Sequence, residues 1–196
     1  MPGYTGSLLA KAEDLAKRLL PAFNTPTGIP LSWINLLSGR NASDPTDTCT
    51  ACAATLTLEW TLLSYFTGNR SYADAAARAV RQVYSRRSSQ TGFVGNTICT
   101  QTGSWTRSDA SVGAGADSYY EYLLKMYLFS GNEGPLRMFA EQYAAVTRGL
   151  QLQWDEAGAV PWQVAVHMHT AAAVSGLWIS SLSAFWPGLQ VLSCGT

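Results

Sequence analysis

The chain has 196 residues, enough for one domain with a sizeable core. Its 13 Lys and Arg balance 13 Asp and Glu, so the net charge is zero and no basic stripe is present to hold nucleic acid or an anionic membrane. Only 13% of residues are charged and 47% are hydrophobic, against about 25% charged in an ordinary soluble domain, so faces covered by further protein are expected.

The start, Met1-Pro-Gly-Tyr-Thr-Gly6, has neither a basic run nor an apolar stretch, so no signal peptide is expected in it. The nearly charge-free run 48–69 is rich in threonine and interrupted by Glu59, too polar for a bilayer helix. Asn41-Ala-Ser43 and Asn69-Arg-Ser71 fit the glycosylation acceptor pattern, a weak pointer to a secretory compartment.

A weak internal repeat organises the chain. Tyr4-Thr-Gly6, Phe66-Thr-Gly68-Asn69 and Phe129-Ser-Gly131-Asn132 recur at about 62 residues. Each unit reads as helix, tight turn, helix, then a longer excursion rich in Gly, Pro and Thr. The first helices, 56–66 and 119–129, are apolar; the second, 73–87 and 136–151, are Ala-rich and partly charged. An apolar helix followed by an amphipathic one predicts inner and outer layers, so the expected fold class is all-α, a partial toroid of helical hairpins. The loops 25–47 and 88–111 are expected to hold short β-hairpins. About three repeats are visible, and an open arc of them would leave its inner layer uncovered, so the chain alone is not expected to be stable.

Among residues able to carry chemistry, Asp117 comes first. It lies where the glycine-rich Gly113-Ala-Gly-Ala116 meets a helix whose apolar residues Tyr120, Leu123, Leu124, Tyr127 and Leu128 share one face. Unpaired N–H groups at a helix start favour an ionised carboxylate, suited to a base; the plainer alternative is an ordinary N-cap. Glu59 is the lone charge between Asp47 and Arg70, on a helix with Leu56, Leu58, Trp60, Leu62 and Leu63. A carboxylate buried there would need a pair or several hydrogen bonds, and the alternative is a Glu turned to the loop side and bonded to a threonine.

Glu121 could share the face of Asp117 or be a satisfied helix glutamate. His167-x-His169 has strand spacing that could aim two imidazoles one way, but lacks further ligands nearby, and no metal site is assigned. Phe23, Trp33, Trp105, Trp162, Trp178 and Trp186 offer flat surfaces on which a ligand ring could stack, with core packing as the default. Cys49 and Cys52 form a C-x-x-C pair without the preceding strand of a thioredoxin-like motif. They are expected to be buried thiols, with a disulfide to Cys99, Cys194 or a partner left open.

Several long segments, in order, carry a family resemblance. They are Leu19-Leu-Pro-Ala-Phe-Asn-Thr-Pro-Thr-Gly-Ile-Pro30, Thr48-Cys-Thr-Ala-Cys-Ala53, Leu58-Glu59, Thr91-Gly-Phe-Val-Gly-Asn-Thr97, Gly113 to Lys125, and Phe185-Trp-Pro-Gly-Leu-Gln-Val-Leu192. Together they resemble glycoside hydrolase family 47, the class I α-1,2-mannosidases. Gly115 is most like the ER degradation-enhancing mannosidase-like branch, where processing mannosidases usually carry Arg. The resemblance implies an (α/α)7 barrel of which residues 1–196 form a single incomplete domain, somewhat under half, lacking N- and C-terminal parts.

By the same resemblance, the activity is inverting removal of mannose from N-glycans, linked to disposal of misfolded glycoproteins. The implied partners are high-mannose glycans on such glycoproteins and an oxidoreductase, and the implied compartment is the ER lumen. Asp117 matches a catalytic carboxylate, and Glu59 matches a glutamate lining the sugar site. The family's general acid is expected upstream of this chain, and a further catalytic glutamate and the calcium-binding threonine downstream. Calcium is thus an implied cofactor whose ligand is not in this chain, and the isolated chain is expected to be inactive. Ser180 stands where Asp is expected, and Ser193-Cys-Gly-Thr196 departs from the usual continuation. A non-catalytic mannose- or partner-binding relic is the competing reading. A terpene-cyclase-like toroid is disfavoured by the lack of an Asp-rich metal motif.

Overall fold

The computed structural model describes residues 4–152, 162–172 and 180–194. The repeat is visible in it as two helical hairpins. Helix α1 (Ser7–Leu19) leads through a 3₁₀ turn, Leu20–Phe23, into the first long loop. Strand β1 (Asp47–Cys49) and the short α2 (Thr50–Ala54) precede the first hairpin, α3 (Thr57–Thr67) and α4 (Ser71–Ser85). The second long loop carries β2 (Thr97–Cys99), β3 (Trp105–Arg107) and β4 (Asp109–Ala110). The second hairpin is α5 (Tyr119–Ser130) with α6 (Glu133–Gly149). Three short elements, β5 (Gln151–Leu152), β6 (Trp162–Gln163) and β7 (Val166–His167), come before α7 (Phe185–Ser193).

Both hairpin turns use the same local chemistry. Gly68 and Gly131 end α3 and α5 with φ of 74° and 68°, a left-handed conformation that costs a residue with a Cβ about 1–2 kcal/mol. The following asparagine then accepts an N–H where the next helix begins: Asn69, one residue before the α4 cap position Arg70, takes the Ser71 N–H at 3.1 Å, and Asn132, the N-cap of α6, takes the Gly134 N–H at 2.9 Å. Gly6, one repeat earlier, has φ 82° at the entrance to α1.

Two clusters form the core. Phe23, Trp60 and Tyr72 chain together at centroid distances of 4.7 and 5.8 Å, joining the first loop, α3 and α4. Each such aromatic pair adds about 0.5–1.5 kcal/mol beyond its area. The larger cluster surrounds α5, with Tyr119, Tyr120, Leu123 and Leu124 packed among Phe93, Ile98, Phe139, Val146 and Trp186. The helix face expected over Tyr120 to Leu128 is buried at its head but opens at its tail, where Leu128 is 48% exposed. Tyr65, Phe66 and Phe129 are likewise exposed, so the inner layer is uncovered at the hairpin tips.

The strands differ in part from expectation. The second loop does hold a hairpin, β2 with β3, but loop 25–47 holds only an isolated bridge, Asn35 to Gly39. Strand β1 reaches across the sequence to pair antiparallel with β2, Asp47 opposite Cys99 and Cys49 opposite Thr97. A strand therefore does precede the C-x-x-C pair, although in an antiparallel sheet of order β1-β2-β3 and not a βαβ unit. Cys49 and Cys52 are not free thiols: they are bonded to each other, with Cα atoms 4.9 Å apart. Cys99 and Cys194 are free.

Candidate active site

Helices α3 and α5 pack against each other, and a hydrogen bond from Tyr122 to Glu59 joins their first turns. Their first turns, and the loops feeding them, therefore meet at one end of the inner layer. Asp117 is partly buried in the turn before α5, its N–H donating to Gly113 O at 2.8 Å. It is not the N-cap. Ser118 takes that position with φ 65° and makes no side-chain cap, which leaves Asp117 one residue outside the helix. Among the described residues its carboxylate has no hydrogen-bond or ion-pair partner, a condition that leaves it open to a ligand.

The loop holding Asp117 is shaped from behind by Asn96. This buried side chain donates from Nδ2 to Ala114 O at 2.8 Å and accepts the Thr97 hydroxyl at 3.0 Å. Gly115 has φ 89°, and a Cβ there would lie 2.5 Å from Asn96 Oδ1, so the site requires glycine on two grounds. The 3₁₀ turn Ser181–Ser183 closes the other side, where a Cβ on Gly113 would meet Ser183 Oγ at 2.7 Å and Ser180 Cβ at 3.7 Å. Ser180 thus stands beside the Asp117 loop, and its hydroxyl accepts the Leu182 N–H at 3.2 Å.

Glu59 lies in the first turn of α3 and is exposed, not desolvated among its leucines. Its partner is no threonine: Tyr122 donates its hydroxyl to Glu59 Oε1 at 2.7 Å. Burial first, and the Glu59 bond second, push the Tyr122 phenol up to about 12. Glu121 is held one turn along its own helix by Lys125 at 2.7 Å.

Sequence reasoning missed Tyr122 and Asn96. Tyr122 sits three residues from Tyr119 on a helix with tyrosine on several sides, and nothing local marks which one faces α3. Asn96 could have been found from the left-handed glycine it faces, but only once the two loops were paired.

The remaining candidates lie elsewhere or are packed. The His167 and His169 rings are 5.7 Å apart, with His169 Nδ1 3.2 Å from Ser88 Oγ. Phe23 and Trp186 are core residues, and Trp105 donates from its indole to Arg86 O at 2.7 Å. Trp33 is 74% exposed. Trp178 lies outside the described residues, as does the side chain of Trp162. No group of three or more His, Cys, Asp or Glu among the described residues could hold a metal ion.

The model of glycosyl hydrolase family 47 matches residues 2–195. Alpha-mannosidase I MNS4 of Arabidopsis thaliana is 44% identical over 98% of this chain and 30% of its own length. The human ER degradation-enhancing alpha-mannosidase-like protein 3 is 42% identical over 98% of this chain and 20% of its own. An alpha-1,2-mannosidase from Trichoderma reesei superposes with a TM-score of 0.82 at 27% identity, covering 95% of this chain and 39% of that one. The chain thus spans well under half the length of the proteins it matches. The exposed inner layer and the unpartnered helix tips are those of a partial α/α toroid, and with the family pattern running over nearly every residue the chain belongs to glycosyl hydrolase family 47.

Proposed function

We propose that this chain is a segment of an α-1,2-mannosidase-like glycosidase that trims mannose from high-mannose N-glycans on misfolded glycoproteins in the ER lumen. The observation that supports this reading is the Glu59–Tyr122 bond, which joins the first turns of α3 and α5 just after the loop in which Asp117 has no partner among the described residues. Relatives whose names carry ER degradation support the branch and compartment. No described helix is long and apolar enough to cross a membrane.

In this reading Asp117 is the base. Its carboxylate takes a proton from the water that attacks the anomeric carbon from the face opposite the leaving oxygen, which inverts configuration. Glu59 accepts hydrogen bonds from sugar hydroxyls, and Tyr122 fixes which of its oxygens stays free. The proton for the leaving oxygen comes from an acid on another part of the protein, about 6.5–9.5 Å from the base in inverting enzymes.

The test is mannose release from a high-mannose glycan by a full-length protein carrying this segment, with Asp117→Asn beside it. The reading expects release that the substitution abolishes while the fold is kept. Equal release by the two proteins would overturn the assignment of Asp117.

A further inference from the structure

The Cys49–Cys52 disulfide encloses the two residues that hold the Asp117 loop in place. Ala51, between the cysteines, donates its N–H to Gly115 O at 2.9 Å. Thr50 donates its N–H to Asn96 O at 2.9 Å and its hydroxyl to Gly95 O at 2.6 Å. Asn96 in turn donates to Ala114 O. The bracket closed by the sulfur–sulfur bond is thus tied to the loop directly through Ala51 and indirectly through Thr50 and Asn96.

The bond is also reachable. Cys52 is exposed and lines a groove of about 440 Å³ with Trp33, Leu36, Leu56 and Trp60. Cys49 is half-buried, and its Sγ accepts the Cys52 N–H at 2.9 Å, a contact that would stabilise a thiolate left on that sulfur.

We propose that Cys49–Cys52 is a redox-active site, opened by a dithiol reductant and closed by a disulfide oxidant, whose state sets the geometry of the Asp117 loop. A thiolate of the reductant attacks Cys52 Sγ; a mixed disulfide forms, and the Cys49–Cys52 bond breaks with its electron pair on Cys49. The second thiolate of the reductant then displaces Cys52 and leaves as a disulfide. Two electrons pass from the dithiol to the protein, and its two protons end on Cys49 and Cys52. Opened, the bracket no longer restrains Thr50 and Ala51, and the Ala51–Gly115 bond breaks more often. The consequence for catalysis rests on the assignment of Asp117 above, but the loop can be read without any glycan, so the two readings fail separately.

The experiment is amide hydrogen exchange on a full-length protein carrying this segment, oxidised and in dithiothreitol, with a Cys49→Ser/Cys52→Ser double variant alongside and alkylation mapping of the thiols. The expected result is a Cys49–Cys52 bond that opens in the folded chain. Exchange at Ala51, Ala116 and Asp117 rises about tenfold on reduction, with Val83 and Val146 within about twofold. The double variant should match the reduced chain and ignore dithiothreitol. Unchanged exchange at Ala51 and Asp117 would overturn the proposal. So would equal acceleration at Val83 and Val146, which would make the bond a general staple, or mapping of Cys49 or Cys52 to a different cysteine.

Discussion

Tyr122 donates to Glu59 across 2.7 Å, tying the first turn of α5 to that of α3 beside the Asp117 loop. The bond makes the phenol a reporter of the site. In the unfolded chain a tyrosine ionises near pH 10, whereas Tyr122 in the fold is pushed up to about 12, by burial first and Glu59 second. A group with a raised folded pKa contributes stability that is complete below its unfolded pKa and is lost as pH rises through the folded one. The contribution of Tyr122 should therefore hold below pH 10 and disappear between about 10 and 12. Ultraviolet titration of a native full-length protein carrying this segment, minus that of its Tyr122→Phe variant, isolates this phenol. In Glu59→Gln it should ionise at lower pH, yet still above an ordinary tyrosine because burial remains. A titration unmoved by Glu59→Gln would show that the bond is not formed in solution.

Gly115 and Gly131 are both left-handed, but their surroundings differ. A Cβ on Gly131 meets nothing within 4 Å, whereas one on Gly115 runs into the Asn96 amide that carries Ala114. Gly131→Ala should therefore cost only the left-handed conformation, about 1–2 kcal/mol, or a few degrees of Tm in a chain of this size. Gly115→Ala should cost more, because Asn96 must also move. Thermal unfolding of the two variants gives the comparison, and equal losses would mean that Asn96 yields freely.

Cys99 pairs opposite Asp47 in the sheet, on a thiol whose pKa is lowered, chiefly by the Thr102 backbone N–H and then by the Thr102 hydroxyl. Its thiolate should thus appear at lower pH in the native chain than after unfolding. The pH profile of its alkylation, followed by mass spectrometry, checks this. Thr102→Ala should move the profile part of the way back, since the backbone contact survives. Because the lowered pKa belongs to the folded state, this thiolate contributes stability above its unfolded pKa that is lost as pH falls through the folded one.

The parts of this architecture that were legible in the sequence are the local ones. Gly68-Asn69 and Gly131-Asn132 announce their turns because each residue meets a backbone demand that few others satisfy, a positive φ and then an acceptor for an N–H where the next helix begins. The apolar and amphipathic character of successive helices gave the layers for the same reason: burial on both sides tolerates few charges. What escaped depends on contacts between distant segments. Strand β1 is three residues long and finds its partner about fifty residues on, so no local alternation marks it. The Cys49–Cys52 bond was obscured by that missing strand, and the Glu59–Tyr122 pair by the unknown rotation of α5 against α3. Asp117 fell one residue outside the expected cap because Ser118 adopts a left-handed conformation that a serine gives no reason to anticipate.

The roles proposed for Asp117 and Glu59 separate in steady-state kinetics. A base acts on the water only as the barrier is crossed, and general acid–base steps contribute about 10²–10⁴-fold. In a full-length protein carrying this segment, Asp117→Asn should therefore lower kcat by about that factor and leave KM nearly unchanged. Glu59 instead holds sugar hydroxyls in the ground state as well as the transition state, so Glu59→Gln should raise KM more than it lowers kcat. Tyr122→Phe, which frees the Glu59 carboxylate to turn, should shift KM in the same direction by a smaller amount. The 196-residue chain alone should release no mannose, since the proton for the leaving oxygen is proposed to come from another part of the protein. Mannose release measured over a range of glycan concentrations decides all four. A fall in kcat for Glu59→Gln as deep as that for Asp117→Asn would exchange their roles, and release by the chain alone would place the acid within these residues.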